Sequence, residues 1–383
     1  MRRLLVYCPV ALGGIYDYAL KQTEALAAQG VEVTLLAADS SVPGSSPKVR
    51  REASLHPEFG TGGARWQRAA HSAVRIIGNL DTLRRYIQQR NYRHVLMATY
   101  SEYGSPGWAP ALRLLAARGV RFAAILHDPV RDYVVGPRWF HDWSVRSGYS
   151  YLSDVFVHEA VSREEARIPA SVAVTVVPHG PYEFPAGRGG PTSAALREQW
   201  GIPEDAHVML SFGQIRAGKN LPLVLEAMAH HPSLWLLVVG QEASAGAALV
   251  PEYQALATQL GVAERCRFLP GFVPAGEVAP YFEVADLILL TYSRHFRSAS
   301  GVLNTAVQFR RPCLVSSGPG ALWSLTERYG LGIRVEPDSA AAIKDGLARW
   351  LQGIPAPDWE GYVRDNSWER NAVLVTRQMF GSA

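Results

Sequence analysis

Short apolar runs alternate along the chain with longer segments whose apolar residues have helical spacing. Residues 4–10 form an apolar run, residues 11–16 contain two glycines, residues 17–29 have helical spacing, and residues 31–36 are apolar again. A strand, a helix and a strand in this order form a βαβ unit, whose strands run parallel in a sheet covered by helices. The start of the chain therefore predicts a doubly wound α/β fold.

The same alternation continues in two series of apolar runs. The first series continues at 95–98, 122–126, 155–157 and 172–177, and the second is at 207–212, 234–239, 267–269, 287–290, 312–315 and 332–335. Between them, residues 178–191 are rich in proline and glycine, which is typical of a linker. We therefore predict two Rossmann-like domains, at 1–182 and 199–362, with a linker at 183–198 and a last segment at 363–383. Ligands of such sheets lie at the carboxyl ends of the strands, so a cleft between the domains is the expected site.

Two further segments in the first half differ in pattern. Residues 40–61 have no clear periodicity and predict a surface loop. Residues 65–93 form a basic stretch with an apolar stripe, which predicts a core-facing helix. The favoured interpretation of its basic face is a solvent-exposed surface, and the alternative is a surface that binds an anionic membrane or acceptor.

Composition narrows the class of protein. The 383 residues are 48% apolar and 19% charged, as in a soluble globular protein, and a net charge of +4 does not argue for a nucleic-acid partner. Cys8, Cys266 and Cys313 lie far apart without metal spacing, which is typical of reduced thiols in a cytosolic protein. The apolar run at 4–10 is too short for a signal peptide or a membrane span. We expect a cytoplasmic protein.

Residues 213–220 contain the most informative motif. Gly213 follows the apolar run at 207–212, Arg216 and Lys219 lie in the turn, and a helix is predicted from residue 221. Glycine lets a backbone approach a ligand closely, a helix start favours anions, and two cations at this spacing can converge on one phosphate. An ordinary basic loop is the alternative.

A second anion site is predicted at a helix start. Backbone N–H groups at Ser300, Gly301 and Val302 can bind the same phosphates. The sequence has no DxD motif between apolar strands and no His/Asp cluster at ligand spacing, so we predict no metal site. Fixed cations can instead stabilise a charge that develops on a diphosphate.

His127 ends the apolar run at 122–126, so its side chain is expected in the cleft, although a purely structural histidine at a strand end is the alternative. Aromatic residues follow it, and such rings stack on the apolar faces of sugars or lie at membrane surfaces. Packing in the first domain is the favoured alternative for several of them. The aromatic residues are Tyr133, Trp139, Phe140, His141, Trp143, Tyr149 and Tyr151.

Taken in order, these motifs resemble the retaining glycosyltransferases of the GT-B fold, in particular family 4 (glycosyl transferases group 1). The resemblance extends over nearly the whole chain and includes the segments at 176–180, 212–219, 285–290 and 311–315. Ser367 and Trp368 before a last helix match the segment that in this family returns toward the N-terminal domain. The resemblance implies two Rossmann-like domains that face each other across a cleft, with the acceptor on the side of the first.

The resemblance also assigns roles to residues. His127 corresponds to a histidine near the transferred sugar, and it is predicted as catalytic together with Arg216 and Lys219. The residues predicted to bind the donor are Gly13, Gly14, Gly213, Gly240, Phe272, Val273, Phe296, Ser300, Gly301, Val302 and Asn304.

The chain departs from the family at two of these positions. The family often has two glutamates eight positions apart, which hold the sugar hydroxyls and the nucleotide ribose, and the matching residues here are Phe296 and Asn304. The amide oxygen of Asn304 can still accept a hydrogen bond from a ribose hydroxyl, more weakly than a carboxylate, whereas Phe296 cannot accept one.

We therefore expect a metal-independent, retaining transferase for polysaccharide biosynthesis. It would need no cofactor and would use a UDP- or GDP-sugar with a glycan, lipid-linked or small-molecule acceptor. Peripheral association with the inner face of the membrane is compatible with the basic stretch. The alternatives are a non-catalytic subunit that binds a nucleotide-sugar, and a nucleotide-sugar epimerase on the same fold.

Overall fold

The computed structural model describes residues 2–11, 13–38, 49–57, 65–131, 134, 136–182, 192–242, 249–353 and 356–381. The chain divides into two compact units. The first comprises Met1–His179 and Asn366–Ala383, and the second comprises Gly180–Asp365.

The first unit is a parallel sheet covered by helices. Its strand order is β3-β2-β1-β4-β5-β6-β7, so the direction of strand addition reverses between β1 and β4. The strands are β1 Arg3–Cys8, β2 Glu32–Ala38, β3 Val49–Leu55, β4 His94–Met97, β5 Arg121–Leu126, β6 Asp154–Val157 and β7 Ala173–Val176, and the helices are α1 Gly14–Ala28, α2 Arg65–Gln89, α3 Ser105–Ala117 and α4 Arg138–Tyr149.

The second unit repeats this architecture. Its parallel sheet has the order β10-β9-β8-β11-β12-β13, and the reversal lies between β8 and β11. The elements are α5 Ser193–Trp200, β8 His207–Phe212, α6 Leu221–Met228, β9 Leu234–Gly240, α7 Leu249–Gln259, β10 Cys266–Pro270, α8 Ala279–Val284, β11 Leu287–Thr291, α9 Gly301–Gln308, β12 Cys313–Ser316, α10 Ala321–Arg328, β13 Gly332–Arg334, α11 Ala340–Leu351 and α12 Trp359–Asp365.

Continuous apolar strands explain both sheets. All seven residues of β9 and the last five of β1 are buried, as expected where helices cover both faces of a parallel sheet. Each sheet has one apolar cluster on either face. The predicted doubly wound α/β class is confirmed.

A last helix, α13 Trp368–Phe380, packs on α1 in the first unit. The Ser367 hydroxyl caps it by accepting a hydrogen bond from the Arg370 N–H at 3.1 Å. The Asn371 amide is fully buried and donates to the Tyr18 hydroxyl at 2.9 Å and to the Pro178 carbonyl at 2.7 Å. The end of the chain is therefore fixed to the first unit by polar bonds as well as by apolar packing.

Two segments differ from the predicted pattern. Strand β3 lies within the predicted loop at 40–61. It is an edge strand with several polar residues, so it lacks the apolar signal of the central strands. Helix α5 lies at the end of the segment predicted as linker, where Thr192 caps it and Leu196 packs in the core. Residues 183–191 of that segment, like Tyr133, lie outside the described residues.

Within the described part of the chain, no helix has the length and apolar character needed to cross a membrane.

Candidate active site

Nine of the eleven residues predicted to bind the donor lie in the second unit, around the carboxyl ends of its strands. The loop at 213–220 follows β8, and residues 292–300 connect β11 to α9. β8 and β11 are neighbours whose connections leave in opposite directions, and the carboxyl ends at such a reversal are where α/β sheets bind ligands.

Two glycines allow the loop to lie against the next strand. Gly213 has a φ of 89°, and its N–H donates to the Val239 carbonyl at 2.9 Å. Gly240 has a φ of 141°, and a Cβ there would collide with the carbonyl oxygen of Gly213. A side chain at position 240 would therefore displace the loop.

Lys219 is buried in this loop, with 6% of its surface exposed. Its ammonium group donates to the carbonyl oxygen of Phe212. A Cβ built on Gly213 would lie 3.8 Å from the Lys219 Nζ and 3.8 Å from the Val302 side chain, so the cation lies between β8 and α9. Burial, and then the charge of Arg216, lowers the pKa of the Lys219 amine to about 7.

Arg216 is exposed and lies against two stacked rings. The Tyr292 and Phe296 ring centroids are 4.0 Å apart, and the Arg216 guanidinium carbon is 5.7 Å from the first and 5.6 Å from the second. Cation–π contacts of this kind restrict the guanidinium while its donors stay accessible. Phe296, at the position predicted to face the hexose, thus supports the Arg216 guanidinium.

Helix α9 begins where predicted. Ser300 caps it by accepting a hydrogen bond from the Leu303 N–H at 3.3 Å, and the N–H groups of Gly301 and Val302 belong to the first turn, which lacks partners within a helix. A Cβ on Gly301 would lie 3.4 Å from the ring of Tyr182. Because the Val302 side chain and the Lys219 Nζ both lie 3.8 Å from a Cβ built on Gly213, the helix start lies beside these residues and adds its positive dipole end.

Asn304 lies one turn into α9, and 2% of its surface is exposed. Its amide oxygen accepts a hydrogen bond from the Tyr362 hydroxyl at 2.8 Å, and its amide N–H donates to the Ser300 carbonyl at 3.3 Å. A ribose hydroxyl would have to use the second lone pair of the same oxygen.

Phe272 and Val273 follow β10. Phe272 is exposed, whereas Val273 packs on the core of the second unit. The Gly271 N–H donates to the Gly240 carbonyl at 3.0 Å, so the ends of β9 and β10 stay together. The structure thus places these two residues at the same sheet edge as the loop at 213–220.

The other predicted residues lie in the first unit. Gly13, with a φ of 90°, precedes α1, and Gly14 is the exposed first residue of that helix, after β1. His127 follows β5, and its side chain is half-buried. All three therefore lie at the carboxyl edge of the first sheet.

His127 belongs to a cluster of rings around Tyr18. The Tyr18 centroid lies 4.8 Å from His127, 5.2 Å from His158, 5.0 Å from His179 and 5.0 Å from Trp368. His158 follows β6 as His127 follows β5, so the rule that indicated His127 also indicates His158, which sequence reasoning missed. Tyr182, Tyr292 and Tyr362 were missed as well, because an aromatic residue beside a strand or helix gives no signal of its own.

Burial keeps these imidazoles neutral. Burial, and then the neighbouring His158 and His179, holds the pKa of His127 well below its usual value, and burial lowers the pKa of His158 to about 4. His158 Nδ1 lies 3.2 Å from the Val177 carbonyl oxygen, and His127 forms a hydrogen bond with the backbone of Ala98. The buried Nε2 atoms of His127 and His158 have no hydrogen-bond partner among the described residues. When each Nδ1–H donates to its carbonyl, each Nε2 presents a lone pair, which suits a sugar hydroxyl.

Comparison with protein families gives a match within the second unit. Residues 192–358 match the model of the family described as glycosyl transferases group 1. The match covers most of the second unit, Gly180–Asp365, and agrees with the resemblance that the motifs predicted.

Individual relatives agree with this family. The chain is 31% identical over 166 residues to D-inositol 3-phosphate glycosyltransferase from Streptomyces griseus, a match that covers 40% of this chain and 34% of that protein. The match thus spans about a third of the relative's length.

Solved structures show the same fold over the whole chain. Sucrose-phosphate synthase from Thermosynechococcus elongatus matches with a TM-score of 0.72 at 19% identity and covers 100% of both chains. Anabaena HepE, solved in complex with UDP-glucose, matches with a TM-score of 0.63 at 15% identity and covers 99% of this chain and 96% of its own. The predicted GT-B fold class is confirmed.

Proposed function

We propose that this protein transfers a glycosyl group from a nucleotide-sugar to an acceptor hydroxyl, with retention of configuration and without a metal ion. One observation carries the proposal. Two cations, Arg216 and Lys219, lie with the start of α9 at the strand reversal of the unit that matches the glycosyl transferases group 1 family.

The geometry fits the electrostatic demand of this reaction. The bond between the anomeric carbon and the diphosphate oxygen breaks, and negative charge develops on the diphosphate. Lys219, Arg216 and the first N–H groups of α9 would stabilise that charge from fixed positions, which lowers the barrier more than binding the ground state does. The acceptor oxygen forms the new bond to the anomeric carbon, and its proton passes to the departing phosphate.

His127 would position the sugar. Its Nε2 lone pair, kept unprotonated by burial, suits a hydrogen bond donated by a hydroxyl of the transferred sugar. Phe296 offers an apolar face where the family often has a glutamate. The donor contacts predicted for Gly13, Gly14, Gly240, Phe272, Val273 and Asn304 remain part of the proposal. A UDP-sugar is the first donor to test, because HepE of Anabaena was solved with UDP-glucose.

Peripheral membrane association is also part of the proposal. Helix α4 carries Trp139, which is 68% exposed, and Trp143, which is 54% exposed, next to the exposed Arg138 and Arg146. Tryptophan beside arginine is typical of a surface that lies at an anionic membrane. A lipid-linked acceptor at the cytoplasmic face would fit this surface.

The test of the function has two stages. A thermal-shift panel of UDP-, GDP-, ADP- and TDP-sugars identifies the donor, because a ligand that binds the native state raises Tm. Release of the nucleotide and transfer of the sugar are then followed in EDTA with acceptor mixtures. Loss of turnover that Mg²⁺ or Mn²⁺ restores would contradict metal independence. A product that is an isomerised nucleotide-sugar would contradict transfer.

A further inference from the structure

Two loops border the proposed diphosphate site in the second unit. The loop at 213–220 carries Arg216 and Lys219, and the loop at 292–300 carries the two stacked rings against which Arg216 lies. Charge that develops on a diphosphate is stabilised best by cations in fixed positions. The position of one loop relative to the other therefore affects how well both cations serve the reaction.

Hydrogen bonds join the two loops next to the sheet. The Ser293 N–H donates to the Gly218 carbonyl at 3.0 Å, and the buried Thr291 hydroxyl donates to the Lys219 carbonyl at 2.8 Å. These bonds involve backbone carbonyls of the first loop. They leave the side chain of Asn220, the last residue of that loop, to a different partner.

Asp338 is that partner, and it belongs to a third segment. Its Oδ1 accepts a hydrogen bond from the side-chain amide of Asn220 at 3.0 Å. Its Oδ2 accepts one from the Arg294 backbone N–H at 3.1 Å and one from the Arg294 Nε at 2.9 Å. A single carboxylate thus bonds to both loops, with one oxygen for each.

The Asp338 carboxylate does more than form an exposed ion pair. The Arg294 side chain is 60% exposed, and such a pair alone adds little to stability. The backbone N–H of Arg294 and the amide of Asn220 are the donors that fix the carboxylate. Burial by itself would raise the pKa of the Asp338 carboxyl, but hydrogen bonds from Arg294 and Asn220 outweigh it and lower the pKa, so the group is ionised at neutral pH.

The segment that holds Asp338 is itself well anchored. Asp338 lies between β13 and α11, and the next residue, Ser339, caps α11 by accepting a hydrogen bond from the Ala342 N–H at 3.2 Å. Helix α11 packs on α6, the helix that follows Asn220. The carboxylate therefore bonds to the two loops from a fixed turn.

The backbone is left-handed at both ends of the bond between Asn220 and Asp338. The φ angle is 53° at Asn220 and 61° at Asp338. Glycine adopts this conformation without strain, whereas a residue with a side chain needs a compensating interaction. The bond between the two side chains is such an interaction, and glycine at either position could not make it.

We propose that Asp338 is a positioning residue, which holds the loop at 213–220 against the loop at 292–300 and so fixes Arg216 and Lys219 for the diphosphate. Its carboxylate acts through Asn220 and Arg294 rather than on the donor itself. This inference rests on the function proposed above, in which the two cations stabilise the departing diphosphate.

Three variants test this role. Asp338→Gly removes the carboxylate and tolerates the left-handed backbone, so kcat should fall about 10-fold or more without added backbone strain. Asp338→Asn should stay within about threefold of the wild-type kcat, because its amide oxygen can accept from Arg294 while its amide N–H donates to the side-chain oxygen of Asn220. Adding Asn220→Gly to Asp338→Gly should lower kcat little further, because both changes remove the same bond.

Two control variants match these changes. Glu336→Gln removes an exposed carboxylate of the same turn whose charge acts on Arg294, but which forms no hydrogen bond to either loop among the described residues. Asn91→Gly places glycine at another exposed left-handed residue, with a φ of 51°, in the first unit. Both variants should keep the wild-type kcat.

Amide hydrogen exchange, resolved to single residues, reports on the loops without any donor. The Arg294 amide loses its acceptor in Asp338→Gly, so the informative amides are those of Lys219, Asn220 and Ser293. Their exchange should be at least about 10-fold faster in Asp338→Gly than in the wild-type protein, while exchange in β9 stays unchanged, and Asp338→Asn should restore the wild-type rates.

Either of two results would overturn the inference. One is unchanged exchange of these amides in Asp338→Gly, and the other is a wild-type kcat in that variant. An equal fall of kcat in Glu336→Gln would overturn it as well, because the charge on Arg294 would then account for the effect without the hydrogen bonds.

Turnover by the wild-type protein keeps the two proposals apart. If the wild-type protein and Asp338→Gly turn over a nucleotide-sugar equally well, the positioning role fails and the transferase function stands. If the wild-type protein turns over none of the nucleotide-sugars, the proposed function fails. The exchange rates then decide by themselves whether Asp338 holds the two loops together.

Discussion

The hydroxyl of Tyr362 donates a 2.8 Å hydrogen bond to the amide oxygen of Asn304, and both side chains are buried in the second unit. The bond joins α12 to the helix whose first turn faces Lys219. It occupies one of the two lone pairs of the oxygen that was predicted to meet the nucleotide ribose. Asn304 thus has a structural partner in addition to its predicted ligand.

Asn304→Ala and Tyr362→Phe separate these two roles. Both variants lose the bond between α9 and α12, and Asn304→Ala also leaves the Tyr362 hydroxyl buried without that acceptor, at a cost of about 1–3 kcal/mol of unfolding free energy. If Asn304 also binds ribose, the Asn304→Ala variant should lose about 0.5–1.5 kcal/mol of nucleotide affinity, whereas the Tyr362→Phe variant should not. Urea unfolding and calorimetry with free nucleotide measure the two effects. Equal nucleotide affinity in both folded variants would remove Asn304 from the ribose site.

Lys219→Met should lose activity and gain stability. Removing one preorganised cation should lower kcat by about 10²–10³-fold. Because burial lowers the pKa of Lys219, the charged amine destabilises the native state, and methionine removes that penalty. The gain in unfolding free energy should be largest at pH 7 and below. It should shrink as the pH rises toward 10.5, because above that pH the lysine is neutral in the unfolded chain too. Lys21→Met, which breaks a surface pair with Glu24, is the control. Wild-type turnover in Lys219→Met would place the diphosphate elsewhere.

Donor binding should take up a proton above pH 7. In the free protein the Lys219 amine has a pKa of about 7, and a bound diphosphate would raise it by pairing with the ammonium form. At pH 8 binding of the nucleotide-sugar should therefore take up close to one proton, and at pH 6 almost none. Affinity should fall as the pH rises above 7. Calorimetry in buffers of different ionisation enthalpy measures the uptake, and Lys219→Met should abolish it. Zero uptake at pH 8 in the wild-type protein would mean that Lys219 does not contact the diphosphate.

The histidine cluster should make stability depend on pH. His127 and His158 have pKa values below that of an unfolded histidine, so the unfolded chain binds more protons between about pH 6.5 and pH 4. The contribution of these two histidines to the unfolding free energy is therefore fully present above pH 6.5. It falls as the pH drops, by up to about 1.4 kcal/mol per pH unit for each histidine. The groups that face His158 are His127, His179, Asp128 and Tyr18.

Substitution of His158 provides the measurement. Urea unfolding at pH 7, 6 and 5 should give a slope that is smaller by about one proton in His158→Gln than in the wild-type protein. His230→Gln, a change on the exposed surface of the second unit, is the control substitution. An unchanged slope in His158→Gln would show that this imidazole already takes up its proton in the native state near pH 6.5.

The sequence predicted the fold through the features that the fold depends on most. Buried strands such as β9 are continuous apolar runs, and the loop at 213–220 combines glycine, two cations and a helix start in one short segment. Edge strand β3 was missed because three of its seven residues are exposed and three, not all the same ones, carry charge. The bond from Tyr362 to Asn304 and the rings around Tyr18 were missed because they join residues 58 to 350 positions apart. Local pattern carries no information about such pairs.

The last helix should stabilise the histidine cluster through Asn371. Its amide oxygen accepts from Gln22 at 2.9 Å, and its amide group donates to Tyr18 and to the Pro178 carbonyl, all within the first unit. Asn371→Ala would leave these buried groups without that partner, so we expect a loss of about 2–4 kcal/mol in the unfolding free energy. Val373→Ala, on the exposed side of the same helix, should change it by less than about 0.5 kcal/mol.

The same variant tests whether the cluster serves the reaction. Tyr18 contacts His127, His158 and His179, so a shift of its ring should disturb the imidazole that is proposed to hold the sugar. In folded Asn371→Ala, kcat should therefore fall about 10-fold or more, while affinity for free nucleotide, whose proposed site lies in the second unit, stays within twofold. Turnover assays and calorimetry at a temperature well below the Tm of the variant separate these effects. Unchanged kcat in a measurably destabilised variant would show that the Tyr18 cluster has a structural role and that His127 does not depend on it.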